Sequence, residues 1–265
     1  MSLYIENIQL KRGLKVIVDN LDLNINQGQC VALLGLNGTG KTTLIQAVAG
    51  LLPITKGNIL FNNQSIYKMK PKERAQKIAY VPQHMVCDLE YKVSDFILMG
   101  ITPYLNFWQT PKKSDYKQID EVLKALNLNH LSDSPLNQIS GGERQMVYLA
   151  RALMQKAQVM LLDEPTAHLD FKRQHEFFQA LKNIKNDKNP AILIALHDPN
   201  LALQYADRII VLHQQQLLGD ICLTEKVSQD RKIALKKLTK VLKKAYGKEI
   251  ELNQEIESSI LYRKK

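Results

Sequence analysis

The sequence predicts an α/β fold: a parallel sheet covered on both faces, an antiparallel β subdomain near the N-terminus and an inserted helical subdomain. Three observations carry this. Short apolar runs at Cys30–Leu34, Val159–Leu162, Ile192–Leu196 and Ile209–Leu212 read as strands buried on both faces, with helical patterns between them. Leu21, Leu23 and Ile25 alternate with Asp22, Asn24 and Asn26, which suits an antiparallel sheet with one wet face. From about Val86 to Ala157 the strand signal fades and helical periodicity takes over, so this stretch reads as a helical insert.

The chain has 265 residues, of which 45% are hydrophobic and 23% charged, enough for one large core with an insert. Its longest unbroken apolar run, Ala191 to Leu196, is six residues. A membrane-spanning helix needs about 20. The start, Met1-Ser2-Leu3-Tyr4-Ile5-Glu6-Asn7, has no basic segment followed by an apolar one, so no signal peptide is expected. Cys30, Cys87 and Cys222 lack metal-ligand spacing and suit a reducing compartment. Of the net charge of +10, residues 221–265 hold +6, with twelve Lys or Arg against six Asp or Glu. The rest is only mildly basic and carries no aromatic-interleaved basic patch, so no nucleic-acid partner is expected.

After the first apolar strand comes Gly35-Leu36-Asn37-Gly38-Thr39-Gly40-Lys41-Thr42-Thr43. A glycine, four residues and Gly-Lys-Thr make a Walker A phosphate loop when a strand precedes and a helix follows, and both are expected here. Backbone N–H groups curl around phosphate oxygens, and the helix N-terminus adds positive potential. Lys41 is expected to reach the β- and γ-phosphates of ATP, and the Thr42 hydroxyl to ligate Mg²⁺. The following helix is expected to present Leu44, Ile45, Val48 and Leu51 on one face and to stop near Gly50 and Pro53.

Val159-Met160-Leu161-Leu162-Asp163-Glu164 is an apolar strand ending in two acids, at the strand end where α/β sheets bind ligands. Asp163 is expected near Mg²⁺. Glu164 is expected to face a water in line with the γ-phosphate as general base. Two acids in a solvated loop would be the plainer account, and the phosphate loop elsewhere in the chain weighs against it.

Ile139-Ser140-Gly141-Gly142-Glu143-Arg144-Gln145 discriminates most. Ser140 and Glu143 form a capping-box pattern, and Met146, Val147, Ala150, Leu153 and Met154 give the next helix an apolar face. That leaves two adjacent glycines unexplained, each costing about 1 kcal/mol in a helix relative to alanine. They make sense where a phosphate must approach the backbone.

These residues resemble the ATP-binding-cassette (ABC) family, whose signature reads Leu-Ser-Gly-Gly-Gln. The resemblance runs from about Tyr4 to Leu252. It implies a P-loop NTPase core in an ABC ATPase that binds and hydrolyses ATP with Mg²⁺. Gln83, in Tyr80-Val81-Pro82-Gln83, matches the Q-loop glutamine, which contacts Mg²⁺ and the attacking water. His197, after Ile192–Leu196, matches the switch histidine, and Asp170, in Ala167-His168-Leu169-Asp170, matches the D-loop aspartate between two halves of a dimer. Where the family commonly stacks an aromatic on adenine, this chain has Arg12.

The resemblance further implies a homodimer in which Ser140, Gly141, Gly142 and Glu143 of one chain close over ATP held by the other. The dimer would lie on the cytoplasmic face of the membrane, peripherally bound to integral permease subunits, with a substrate-binding protein in the same system. Met99-Gly100-Ile101-Thr102-Pro103-Tyr104, Pro165-Thr166-Ala167-His168-Leu169-Asp170-Phe171, His197-Asp198-Pro199-Asn200 and Tyr246-Gly247 are similar to importers of iron–siderophore complexes, haem, vitamin B12 and related metal compounds. A molybdate or tungstate importer stays open, as do an exporter ATPase and a non-transport ATPase acting on nucleic acid. The expected organisation is an ATPase domain over 1–225, its helical insert at about 86–157, and a C-terminal basic helix and strand over 226–265. The lysine-rich segment Leu235–Lys244 reads as a solvated surface helix, with contact to anionic lipid as the alternative.

Overall fold

The computed structural model describes residues 2–83, 90–106, 108–167, 169–223, 228–247, 250–252 and 260–262. Cys87, His168, the expected start of the helical insert at Val86 and the expected boundary after residue 225 lie outside them. The chain forms two compact units, Met1–Lys68 with Ala191–Lys265, and Met69–Pro190.

In the first unit, β1 (Ser2–Arg12) pairs antiparallel with β2 (Lys15–Asn26) and with β4 (Lys56–Phe61), which in turn pairs with β5 (Gln64–Ser65). The alternation in β2 works as expected: Leu21, Leu23 and Ile25 are buried, Asp22 and Asn26 exposed. A second sheet sets β3 (Cys30–Leu34) parallel between β8 (Ala191–Ala195) and β9 (Arg208–His213). Helix α7 (Pro199–Tyr205) lies between β8 and β9 in the chain, and an antiparallel β10 (Gln216–Cys222) lies beyond β9. Every residue of β3 and β8 is buried, which is why both read as unbroken apolar runs.

Helix α1 (Lys41–Val48) buries Leu44, Ile45 and Val48, but Leu51 is 58% exposed, against expectation. Gly50 takes a left-handed φ of 70°, and the chain leaves the helix before Leu51 can join its apolar face. The C-terminal helix, α8 (Ser228–Tyr246), buries Leu235, Leu238, Leu242 and Ala245 and leaves Lys236, Lys237, Lys240 and Lys244 exposed. It packs on β9 and β10 within this unit. A Cβ on Gly219 of β10 would come within 2.7 and 2.9 Å of the Val241 methyls, so the strand surface is pared to backbone where the helix crosses. The apolar stripe of the tail covers its own sheet. Helix α8, in the segment expected as a C-terminal extension, thus forms a layer of the first unit.

In the second unit, α2 (Pro71–Lys77) leads into β6 (Ile78–Val81), which pairs in parallel with β7 (Val159–Asp163). Between the two strands lie α3 (Val93–Leu98), α4 (Lys113–Ala125) and α5 (Gly141–Met154), so the described part of the insert is helical. Phe96 meets Tyr148 with ring centroids 5.6 Å apart, and the Arg151 guanidinium lies 5.3 Å above the Phe96 ring. After β7 the chain enters α6 (Phe171–Lys188), which buries Phe177, Phe178, Leu181 and Ile184.

Candidate functional site

In the first unit, Gly35–Gly40 forms the turn between β3 and α1. Gly40 has φ 102°, and a Cβ there would meet Ile17 Cγ2 at 2.6 Å; at Gly35 a Cβ would meet the Leu212 carbonyl oxygen at 2.8 Å. Only glycine lets this loop close against its neighbours. Thr39 Oγ1 donates to the Leu36 carbonyl at 2.8 Å. Lys41 is 4% exposed, and its ammonium donates to the carbonyls of Gly35 at 2.8 Å and Leu36 at 3.3 Å, which holds it inside the loop. Asn37 and Gly38 lie at the exposed outer edge, and Thr42 and Thr43 are half-buried.

Helix α1 also begins differently from the helices of the second unit. Its N-terminus has no side-chain cap and no acidic residue in the first turn. By contrast, α2 and α3, also without a side-chain cap, carry Glu73 and Asp95 in the first turn, α5 is capped by Ser140 with Glu143, and α6 by Asp170. An uncapped N-terminus behind a cationic loop is the arrangement that receives an anion.

Two further features join this loop. The register Leu33↔Ala195 brings the carboxyl ends of β3 and β8 level, so His197 leaves its strand beside the start of the phosphate loop, with its side chain exposed. The second is Tyr246, at the end of α8. Its buried hydroxyl faces the Gly35 backbone N–H without reaching full hydrogen-bond geometry, and burial pushes the phenol up to about 12. Sequence reading gave Tyr246 no such place, because nothing local ties it to a loop some two hundred residues earlier.

In the second unit, the pair Val81↔Leu162 sets the residues after β6 and β7 side by side. Gln83 Nε2 accordingly donates to Glu164 Oε2 at 2.7 Å. Asp163 is fully buried, and Tyr80 Oη lies 3.5 Å from its Oδ2. Glu164 is 8% exposed and sits at φ 48°, an uncommon backbone setting for a side chain of its size. Tyr80 was given no role of its own in the sequence, although it lies on β6 opposite Leu161, within the same strand pair.

The Ser140–Glu143 segment forms a complete capping box. Ser140 Oγ accepts from the Glu143 N–H at 3.3 Å, and Glu143 Oε2 accepts from the Ser140 N–H at 3.0 Å and from its hydroxyl at 2.6 Å. The Ser140 hydroxyl holds the Glu143 carboxyl below the usual range, followed by the Ser140 N–H, with Arg173 and His130 adding to the effect. Gly141 faces open space, whereas a Cβ on Gly142 would lie 3.2 Å from Arg173 Cγ. The two glycines therefore have different reasons: Gly141 leaves the backbone approachable, and Gly142 makes room for a neighbour within the chain. Asp170 Oδ1 accepts from the Arg173 N–H at 2.8 Å, so the aspartate expected to serve as the D-loop residue is the N-cap of α6.

The family profile described as ABC transporter matches residues 18–167, from β2 through the phosphate loop and Glu164. The chain belongs to the ABC transporter family. A probable iron chelatin transport ATP-binding protein of Helicobacter pylori is 38% identical over 218 residues, covering 82% of this chain and 86% of that protein. A hemin import ATP-binding protein of Pseudomonas fluorescens is 36% identical over 211 residues, covering 78% and 81%. Among solved structures, one described as a metal-chelate type ABC transporter in an inward-facing conformation superposes with a TM-score of 0.78 at 26% identity, covering 98% of this chain and 95% of that one. A dimeric bacterial ABC transporter cassette gives 0.73 at 27% identity, covering 83% and 98%. The chain is an ABC ATPase.

Proposed function

We propose that this ABC ATPase energises uptake of an iron–siderophore complex, haem, cobalamin or a related metal compound through a partner permease. The observation that carries the reading is the similarity, over about four-fifths of the chain, to proteins named for iron chelatin transport and hemin import. The exporter and nucleic-acid alternatives have no comparable support. No helix among the described residues is long and apolar enough to cross a membrane, so the translocation path belongs to other subunits. We place the subunit peripherally on the cytoplasmic face, with a substrate-binding protein delivering cargo from the other side.

In the proposed cycle, the N–H groups of the loop through Thr43 and the Lys41 ammonium hold the β- and γ-phosphates of ATP. Thr42, Gln83 and Asp163 offer hydroxyl, amide and carboxylate oxygens. That donor set fits Mg²⁺, a hard cation that keeps several of its own waters. When bound, the ion neutralises phosphate charge. Glu164, held by Gln83, takes a proton from the attacking water, and His197 contacts the γ-phosphate. Ser140, Gly141, Gly142 and Glu143 close over nucleotide on a second copy of the chain, with Asp170 at the join. ATP thereby favours the closed dimer, and hydrolysis releases it.

Deleting the gene and measuring uptake of radiolabelled ferric siderophore, haem and cobalamin tests the assignment. Loss of at least one uptake activity, restored by the wild-type chain and not by Glu164→Gln, is expected. Unchanged uptake of all three, with loss of an efflux activity instead, would overturn it.

A further inference from the structure

Glu143 poses an electrostatic difficulty for the proposed role of the signature. A carboxylate in the first turn of α5 suits that helix's dipole. It also places a negative charge beside the N–H groups and the Ser140 hydroxyl that are to meet a triphosphate. The Ser140 hydroxyl is itself engaged, donating to Glu143 Oε2 at 2.6 Å, so the carboxylate governs where that proton points.

The neighbour that answers this charge comes from α6. Arg173 Nη2 lies 3.5 Å from Glu143 Oε1, and Nη1 lies 3.2 Å from Glu176 Oε2, so the guanidinium bridges two carboxylates. Its stem runs over Gly142, where any side chain would crowd Arg173 Cγ. Its own N–H holds Asp170 at 2.8 Å. One residue thus touches three parts of the surface proposed to be shared: the signature glycine, the signature carboxylate and the D-loop aspartate. His130 Nε2, at 3.9 Å from Glu143 Oε1, is more distant and mostly exposed.

We propose that Arg173 is a positioning residue of the signature, neutralising and anchoring Glu143 so that Ser140 and the two glycines can receive phosphate. The inference rests on the reading that the signature closes over nucleotide. It adds a charge requirement: an acid at position 143 needs a cation at position 173, whereas an amide at 143 does not. An arginine suits this better than a lysine, because its planar fork can face Glu143 and Glu176 together.

A double-mutant cycle on the full-length chain tests this, with ATP hydrolysis followed across ATP and protein concentrations. Arg173→Ala is expected to lower kcat/KM for ATP about fivefold, mainly through KM, as for a partly exposed pair. In the Glu143→Gln background the same change is expected to cost less than about twofold, since no carboxylate remains to be compensated. If Arg173→Ala does not fold, Arg173→Gln keeps the stem against Gly142 while removing the charge. An equal loss in both backgrounds would overturn the proposal. Ser140→Ala separates the two levels. If it impairs hydrolysis while the cycle shows no coupling, Arg173 alone is misassigned; if it leaves hydrolysis unchanged, the signature reading falls and this proposal with it.

Discussion

Gln83 Nε2 donates a 2.7 Å hydrogen bond to Glu164 Oε2. The bond follows from register: with Val81 level with Leu162, Gln83 and Glu164, each two residues further along, fall opposite one another. Glu164 is held there in a left-handed backbone conformation at φ 48°, nearly buried, next to the fully buried Asp163. A carboxylate kept in a costly conformation and oriented by an amide is suited to one task. The adjacent acid, one residue earlier on the strand, is free of that backbone constraint.

Glu164→Gln keeps the size of the side chain and leaves an oxygen to accept from Gln83, but removes the base. Steady-state phosphate release should fall by about 10² to 10⁴, the usual worth of a positioned general base. ATP affinity, measured by equilibrium binding, should hold. Near-normal turnover by the purified variant would take the base role away from Glu164.

Lys41→Ala should weaken nucleotide binding itself. The ammonium is inside the loop, held by the carbonyls of Gly35 and Leu36, so its charge is already placed when a phosphate arrives. Losing charge-assisted bonds of about 1.5–3 kcal/mol corresponds to roughly a ten- to hundredfold drop in affinity. Titration with a fluorescent ATP analogue reads this directly, and unchanged affinity would mean that the loop does not hold the triphosphate.

What the sequence revealed was local. Strand β3 runs over Cys30–Leu34, as its apolar run suggests, and the capping box at Ser140 and Glu143 forms as the spacing suggests. The stripe through Leu235, Leu238 and Leu242 is likewise buried. Each of these signals arises within one element. Arg173 and Tyr246 were illegible as site neighbours because the groups they face, Glu143 and Gly35, lie on other elements far along the chain. Leu51 failed for a related reason: periodicity continues past Gly50, and only the left-handed turn there shows that the helix has ended.

The packing of α8 gives a prediction about stability. Gly219→Ala would place a methyl 2.7 and 2.9 Å from the Val241 methyls, and β-branched valine has little freedom to yield. Overpacking of this kind costs about 1–3 kcal/mol. The urea midpoint should drop accordingly, and Val241→Ala added to Gly219→Ala should recover part of it. An unchanged midpoint for Gly219→Ala would show that the helix does not pack on β10 in this way.

Sharing of the site between two chains can be tested by mixing variants. A chain with Ser140→Arg keeps its own Lys41, Asp163 and Glu164 but offers its partner a bulky cation where a small hydroxyl and exposed backbone should be. A chain with Lys41→Ala offers a sound signature but a crippled phosphate loop. Each homodimer carries a defect in both of its sites and should be nearly inactive. A mixed dimer distributes the defects differently: one site receives both, while the other joins the intact loop of the first chain to the intact signature of the second. Mixing the two proteins, with permease present, should therefore restore part of the hydrolysis that neither shows alone. The same reasoning predicts that the isolated wild-type subunit loses specific activity on dilution, as its dimers separate. A fully active Ser140→Arg protein, at a rate independent of concentration, would mean that each chain hydrolyses ATP without its partner.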